Sequence, residues 1–493
     1  MARSDLKFLI DTNIYIPLEP TAEEGIEPNT ALAAQFLRQA SETGCRVYIH
    51  PASNVDIDRD PKPERQALRR ALLDKYPVLP DPPSLNLVEE VLGKVQRDDH
   101  DWVDNHMLAA LQANAVGWVV TEDRGMHRRA RKLQLENRVL RLAEAVIMLE
   151  GFFGRLPVPP PAVATMKAHA LNPKDRIFNS LRADYPGFDA WFAKARRDHR
   201  QSWVINTADG YGALCIVKHE EPPEYGLTGN VLKLCTFKVA EQCNGLRLGE
   251  LMLKAVFDYA VENRFAWLCV TVFPKQEHLL TFLNDFGFLD LAATTTLGEK
   301  VLAKAMVPIG ADLANLSPLA FHQRFGPRHL KVGVLPVFAV PIRPEYHRLL
   351  FPEAEAQLDL TAGQFPAGNG IRKAYLCRAS SREVGEGSPL LFYLSGGAQQ
   401  FTVLGVAEDT LVSPDPEPIA RFVGKRTVYT YEAISKMCEA GPVLAILFRQ
   451  ARVLCPRLAL DDLLQEKMVS AHPQSITRLA ADAGAWLEKK LMQ

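Results

Sequence analysis

Through the first part of the chain, short apolar runs alternate with longer stretches of helical period. Leu6 to Ile10 predicts a buried strand, Thr30 to Thr43 a helix, Val47 to His50 a strand and Pro63 to Tyr76 a helix. Asp101 to Asn114 predicts a helix and Gly117 to Thr121 a strand; a basic helix from Arg124 then leads into the strand "RVLRL". Strands that alternate with helices in this way predict a parallel sheet wrapped by helices. "RLPVPPPAV" (155–163) carries four prolines in nine residues, which cannot continue a helix and predict a stiff linker.

Beyond that linker the periodicity changes. Two strands are expected to meet at "NTADGYG" (206–212), because Asp-Gly between apolar runs is a hairpin signal. A long strand (Val231 to Val239), a glycine-containing turn, a helix (Leu246 to Asn263), a strand (Ala266 to Phe273) and a short helix before "DFGF" follow. From about 335 the chain reads as strand-rich, with "KAYLCRAS", "PLLFYLSG", "FTVLGVAEDTLV" and "VLAILFRQARVL" separated by turn residues, and a small barrel is expected. The boundaries drawn from these shifts are 1–154, a linker at 155–167, 168–310, a connector at 311–334, and 335–493.

Composition narrows the class. A chain of 493 residues exceeds one ordinary core, and 47% hydrophobic with 23% charged residues is average for globular protein. The formal net charge of -1 means that any nucleic-acid surface must be local. The eight cysteines form no CxxC pair or zinc spacing, and several lie in apolar runs such as "LKLCTF" and "WLCVTV", which fits reduced core thiols and a cytoplasmic location. The start "MARSDLKFLIDTN" is interrupted by an aspartate too early for a signal peptide, and no stretch approaches a bilayer span, so no membrane partner is expected.

Ligands in open α/β sheets collect beyond the carboxyl ends of the strands. Asp11 directly follows a predicted strand, Asp123 follows another, Asp56 comes shortly after "RVYIH", and Asp104 lies near a helix start. An aspartate after a strand is more often a cap or turn former, but four that converge would repel one another unless a cation joined them. Hard divalent ions take oxygen ligands and can activate water against a phosphodiester. "FLIDTNIYI", "PASNVDI", "DWVDNHMLAAL" and "VVTEDRGMH" resemble, in order and spacing, the acidic motifs of the PIN-domain nucleases over about residues 5–150. The resemblance implies that Asp11, Asp56, Asp104 and Asp123 are catalytic and hold Mg²⁺ or Mn²⁺. Asp56 stands where glutamate is common, and Asp58 and Asp101 are near alternatives. Thr12, Asn13 and Thr121 would orient these acids. Arg124, Arg128, Arg129, Arg131 and Lys132 follow Asp123, and Arg65, Arg69 and Arg70 follow Asp56; as groups they point to nucleic acid, single-stranded RNA by resemblance.

A second site is suggested by a strand ending at Val239, a turn and a helix, since backbone amides freed by glycine at a helix start can cradle pyrophosphate. The order of elements over about 170–305 resembles the GNAT acetyltransferases. By that resemblance Val239, Asn244, Gly245, Leu246, Arg247, Leu248, Gly249 and Glu250 would bind acetyl-CoA. The signature is imperfect: Asn244 replaces its first residue and Arg247 its first glycine, although Arg247 could bind phosphate itself. Leu283 stands where many of these enzymes have a tyrosine acid, with Cys243 and Glu241 nearby.

The third segment resembles PUA-like domains of the ASCH and EVE type, which implies RNA docking. Lys373, Tyr375, Tyr393, Ser395, Lys425, Arg426, Thr427 and Tyr429 offer the basic and aromatic groups for it, and the "GKRT" turn is the preferred contact. The whole is therefore expected to be an α/β multidomain chain with a PIN-like parallel sheet, a GNAT-like α+β domain and a C-terminal PUA-like β-barrel. The leading expectation is a metal-dependent endoribonuclease with an acyl-CoA-binding module and an RNA-binding barrel. That combination would suit a toxin or stress-response effector with a cognate inhibitor protein. The alternatives are an N-acetyltransferase that uses the other domains as RNA platforms, and a non-catalytic scaffold.

Overall fold

In a computed structural model, residues 5–18, 29–154, 161–310, 313–327, 329–355, 365–378, 381–396 and 399–492 are described. The chain divides into two compact units, residues 1–156 with 412–443, and residues 157–411 with 444–493. Among the described residues no helix is long and apolar enough to cross a membrane.

The first unit is built on four short strands, β1 (Lys7–Ile10), β2 (Arg46–Ile49), β3 (Trp118–Val120) and β4 (Val139–Leu140), in the order β2-β1-β3-β4. Every pair is parallel. β1 and β3 are almost wholly buried, as expected of strands covered on both faces. Phe8 stacks on Trp118 at 5.1 Å and meets Phe36 edge-on at 5.5 Å. A second group around Val103, Met107, Leu108, Leu111, Val119 and Met126 fixes the helices Asp101–Gln112 and Arg124–Lys132. The strand order reverses direction between β1 and β3, so their carboxyl ends form the crevice where such sheets bind ligands.

The helices Pro416–Val423 and Tyr431–Glu439 belong to this first unit, although the sequence boundaries place them in the third segment. Tyr431 lies 6.5 Å from Phe152 and 6.2 Å from Phe153, Lys425 pairs with Glu144, and Arg426 donates to Asn137 Oδ1 at 2.7 Å.

The second unit holds two sheets. The first contains β5 (Val163–Lys167), β6 (Gln201–Thr207), β7 (Gly210–Glu220), β8 (Val231–Val239), β9 (Trp267–Val272), β10 (Leu289–Thr294) and β11 (Lys300–Ala305), in the order β10-β11-β9-β8-β7-β6-β5. Part of the expected linker is thus the edge strand β5, paired antiparallel with β6; residues 155–160 of it lie outside the described residues. All neighbours are antiparallel except β8 and β9. Their pairing runs from Val231↔Trp267 to Leu234↔Val270, whereas β8 continues to Val239 against β7 alone.

The second sheet contains β12 (Phe338–Ile342), β13 (Arg372–Cys377), β14 (Pro389–Leu394), β15 (Gln400–Ser413), β16 (Val443–Ala459) and β17 (Thr477–Arg478), in the order β13-β16-β15-β14-β12-β17. The expected barrel is corrected here: among the described residues β13 and β17 are the two ends of this order and do not pair, so the sheet stays open. Helices such as Ala483–Met492 cover the apolar face, with Trp486 and Leu487 in the core. That core takes the place of barrel closure.

Candidate functional site

The acids of the first unit arrive from separate elements. Asp11 leaves β1 and is buried, and its backbone N–H donates to Val120 O at 3.1 Å, which ties it to the end of β3. Asp11 Oδ1 accepts from Thr12 N at 2.6 Å and from Thr12 Oγ1 at 3.2 Å. Its Oδ2 accepts from Asn13 Nδ2 at 2.6 Å and Thr121 Oγ1 at 2.7 Å. Four neutral donors thus aim one carboxylate. Thr12 Oγ1 also reaches Asp56 Oδ2 at 3.4 Å, from the helix Ser53–Asp58. Asp123 caps the helix Arg124–Lys132 by accepting from Met126 N at 2.7 Å, and its own N–H donates to Thr121 Oγ1 at 2.9 Å.

Electrostatics shows that these groups feel one another. Burial raises the Asp11 carboxyl to about 6 and the Asp56 charge adds to the rise, although the bonds from Thr121 and Thr12 oppose it. Burial also drives Asp104, on the helix Asp101–Gln112, up to about 8, with the charges of Asp11 and Asp123 pushing the same way. Asp56 is raised by burial too, against the pull of Arg59, which pairs with it at 2.8 Å. Of the near alternatives, Asp58 is taken by Arg70 and Asp101 by Arg129 at 2.5 Å.

The donor set suits a hard divalent cation: it is all oxygen, and burial raises Asp11 and Asp104, although Asp123 is exposed and Asp56 is paired with Arg59. Among the described residues, however, no three His, Cys, Asp or Glu side chains are grouped closely enough to hold a metal ion as they stand.

The basic groups divide. Arg124, Arg128, Arg131 and Lys132 are exposed on the helix that Asp123 caps, whereas Arg129 is drawn inward to Asp101 and to Asn105 Oδ1 at 3.3 Å. Arg65 and Arg69, both half-buried, close on the buried Asp60, and the exposed Arg70 pairs with Asp58, so this part of the expected rim is engaged by the chain's own acids. Lys425 and Arg426, expected as RNA contacts, are also engaged inside the unit; Arg426 is only 3% exposed. In the second unit Lys373 is fully buried and donates to Leu350 O, Ala367 O and Gly368 O at 2.5, 3.1 and 2.8 Å. Tyr375 and Tyr393 are buried as well. Ser395 is bonded to Ile342 O, and Thr427 and Tyr429 are buried in the first unit.

The turn expected to cradle acetyl-CoA is already engaged by the chain itself. Gly245 and Arg247 are both left-handed, with φ of 85° and 57°, and the helix Leu248–Glu262 starts there. Arg247 donates to Glu250 Oε1 at 2.8 Å, to Glu250 Oε2 at 2.9 Å and to Arg372 O at 2.6 Å. The backbone N–H groups of Ile371 and Arg372 donate to Glu250 Oε2 at 2.7 and 3.2 Å, and Asn369 Nδ2 donates to Leu246 O at 2.9 Å. Gly370 permits this close approach, since a Cβ there would lie 2.2 Å from Arg247 Cζ and would push the guanidinium aside. Phe282 fills the space over Gly249, where a Cβ would meet its ring at 3.2 Å. Leu283 is buried, and burial pushes the Cys243 thiol up.

Sequence reasoning missed several groups. Glu122 accepts from Leu142 N at 2.9 Å and donates its own N–H to Asn13 Oδ1 at 3.1 Å. Glu144, three residues into its helix, accepts from Arg141 N at 3.1 Å; a glutamate at that spacing is a capping signal that could have marked it. His50 and His106 lie with ring centroids 5.3 Å apart, and burial together with the neighbouring ring takes His50 down to about 4.

No protein-family model matches the chain, and comparison with curated proteins gives no match. Solved structures that resemble parts of it include the ASCH protein of Zymomonas mobilis, at 14% identity over 31% of this chain and 92% of that one, with a TM-score of 0.24. A GNAT-family acetyltransferase from Staphylococcus aureus Mu50 matches at 11% identity over 30% and 100% of the two chains, TM-score 0.24. A further match is a putative acyl-CoA N-acyltransferase from Klebsiella pneumoniae, at 15% over 30% and 98%, TM-score 0.23. At these TM-scores the likenesses carry no functional argument, and the chemistry must be argued from the side chains.

Proposed function

We propose that the first unit is a metal-dependent nuclease of the PIN type that acts on single-stranded RNA. The observation that carries this reading is the Asp104 carboxyl, raised to about 8 among Asp11, Asp123 and Asp101 at the carboxyl end of a parallel sheet. A carboxyl raised first by burial, with neighbouring carboxylates adding to the rise, is a poor structural solution and suits a cation. Mg²⁺ or Mn²⁺ held by Asp11, Asp56, Asp104 and Asp123 would supply an activated water and offset charge on the phosphodiester. Asn13 and Thr121 would hold Asp11 in one orientation, and the exposed Arg124, Arg128, Arg131 and Lys132 would place the phosphates. The test is cleavage of single-stranded RNA by the full chain with Mn²⁺. Asp11→Asn and Asp104→Asn are each expected to abolish it; activity that survives both substitutions rules the reading out.

A second reading, acyl-CoA binding in the second unit, is favoured by the parallel pair β8 and β9, whose pairing stops at Leu234 and Val270 while β8 runs on to the turn. Against it stand the Glu250 carboxylate and the 369–372 backbone at that turn. Calorimetric titration with acetyl-CoA decides between them, and we expect no binding heat.

A further inference from the structure

We infer that residues 412–443 complete the acidic site of the first unit, with Lys425 as a positioning residue for Asp11. This rests on the nuclease reading above. Lys425 lies in the short turn between the helices Pro416–Val423 and Tyr431–Glu439 and pairs with Glu144 Oε1, from 281 residues away. Glu144 belongs to the first turn of the helix Leu142–Phe152, and its second oxygen accepts from Arg141 N. The first residue of that helix donates from Leu142 N to Glu122 Oε1 at 2.9 Å.

From there the bonds run straight to the site. Glu122 N donates to Asn13 Oδ1 at 3.1 Å, and Asn13 Nδ2 donates to Asp11 Oδ2 at 2.6 Å. A second route passes through His127, which lies in the field of both Glu144 and Lys425 and whose Nε2 meets Thr121 O at 3.2 Å. Thr121 then donates to Asp11 Oδ2. Burial alone would raise the Glu144 carboxyl, yet the Lys425 ammonium overrides it and the group sits at about 2, so the pair is ionised and directional. The rest of the insert anchors the lysine: Arg426 bonds to Asn137, and Tyr431 packs on Phe152 and Phe153. The ion pair that holds Glu144 down thus comes first from Lys425, in residues 412–443, with His127 adding to it.

The test uses the full chain and three measurements: Mn²⁺ affinity by paramagnetic resonance titration, amide exchange in the metal-free protein, and melting. Lys425→Ala is expected to weaken Mn²⁺ binding measurably but by less than about tenfold, the lower end of the loss when a group bonded directly to a metal ligand is removed, because Lys425 acts through intervening residues. It is also expected to speed exchange of the Glu122 and Asp123 amides, whereas Lys425→Arg restores both. Unchanged affinity and exchange in Lys425→Ala would overturn the proposal, and so would failure of Lys425→Arg to restore them in a folded protein. If Lys425→Ala does not fold, Lys425→Gln, which removes the charge and leaves Glu144 in place, decides instead, with faster exchange of the Glu122 and Asp123 amides expected and unchanged protection overturning the idea. If the unsubstituted chain takes up no Mn²⁺, the nuclease reading falls, and amide exchange by itself decides whether Lys425 positions this segment.

Discussion

Asp104 and Glu250 are both partly buried carboxyl groups near the start of a helix, and they have opposite surroundings. Glu250 receives two N–H bonds from Arg247 and two from the backbone at Ile371 and Arg372. Burial would raise it, but these partners, Arg247 first, hold it at about 2. Asp104 is raised to about 8, first by burial and then by Asp11, Asp123 and Asp101, with Arg129 as the counterweight. A buried carboxylate whose partners are complete holds structure together. One desolvated without enough countercharge weakens the fold, which marks it as a candidate for a role other than holding the structure together. The same test separates Lys425, which pairs with Glu144 inside the first unit, from the exposed Arg124 on the same unit.

The largest expected effect breaks the complete site. Arg247→Ala removes a guanidinium that is nearly buried, with an 8% exposed side chain, and leaves Glu250 without its counter-ion. Loss of one partner of a buried pair costs about 3–5 kcal/mol, and urea unfolding of the second unit should show a loss of that order. A loss below about 1 kcal/mol, the range of exposed pairs, would mean that water reaches Glu250 and that the turn is more open than its bonds indicate.

The next effect has the opposite sign. In the unfolded chain Asp104 ionises near 3.8, and in the folded unit it keeps its proton to about 8. The folded state therefore binds more protons between those values, so this group's contribution is fully present below about pH 4 and is lost as pH rises through about 8. Asp104→Asn should remove that slope. Metal-free stability of the first unit should then rise by a few kcal/mol near pH 8 and stay level near pH 4, measured by melting with a chelator present. A variant less stable than the parent at pH 8 would show that Asp104 is a structural group like Glu250.

Why one half of this comparison is legible in the sequence and the other is not follows from range. Asp11 and Asp123 sit where they are expected because β1 and β3 are short, apolar and sharply bounded, and their ends are fixed by local pattern. The antiparallel pair β6 and β7 is likewise announced by its turn. The Glu250 site is built from segments about 120 residues apart, and nothing in "NGLRLGE" says that Gly370 will lie against Arg247. Local reading offered Arg247 to phosphate, because an unpaired arginine at a helix start is suited to it, and tertiary packing supplied Glu250 and a carbonyl instead. Lys425 and Arg426 looked exposed in "GKRT" for the same reason: the acceptors Glu144 and Asn137 come from the other end of the chain. The expected barrel failed through another gap. Alternation identifies strands but not closure, and here β13 and β17 end the sheet.

The smallest effect sharpens what the acidic site is for. Arg124 is exposed beside Asp123, and no partner is recorded for it among the described residues, so the unit loses little fold by losing it. Arg124→Ala should leave melting within about 0.5 kcal/mol of the parent, as for an exposed surface change. If the side chain contacts an RNA phosphate, binding of a single-stranded oligonucleotide should weaken similarly for every sequence. The slope of log affinity against log salt should also fall in magnitude by about 0.7, the share of one phosphate contact on a single strand. Arg129→Ala is the matching control. Arg129 is tied to Asp101 and Asn105, so its loss should disturb the helix Arg124–Lys132 and leave the salt slope alone. If both substitutions change the slope equally, the division of this helix into an outward phosphate face and an inward structural face is wrong, and with it the assignment of charge around the acids.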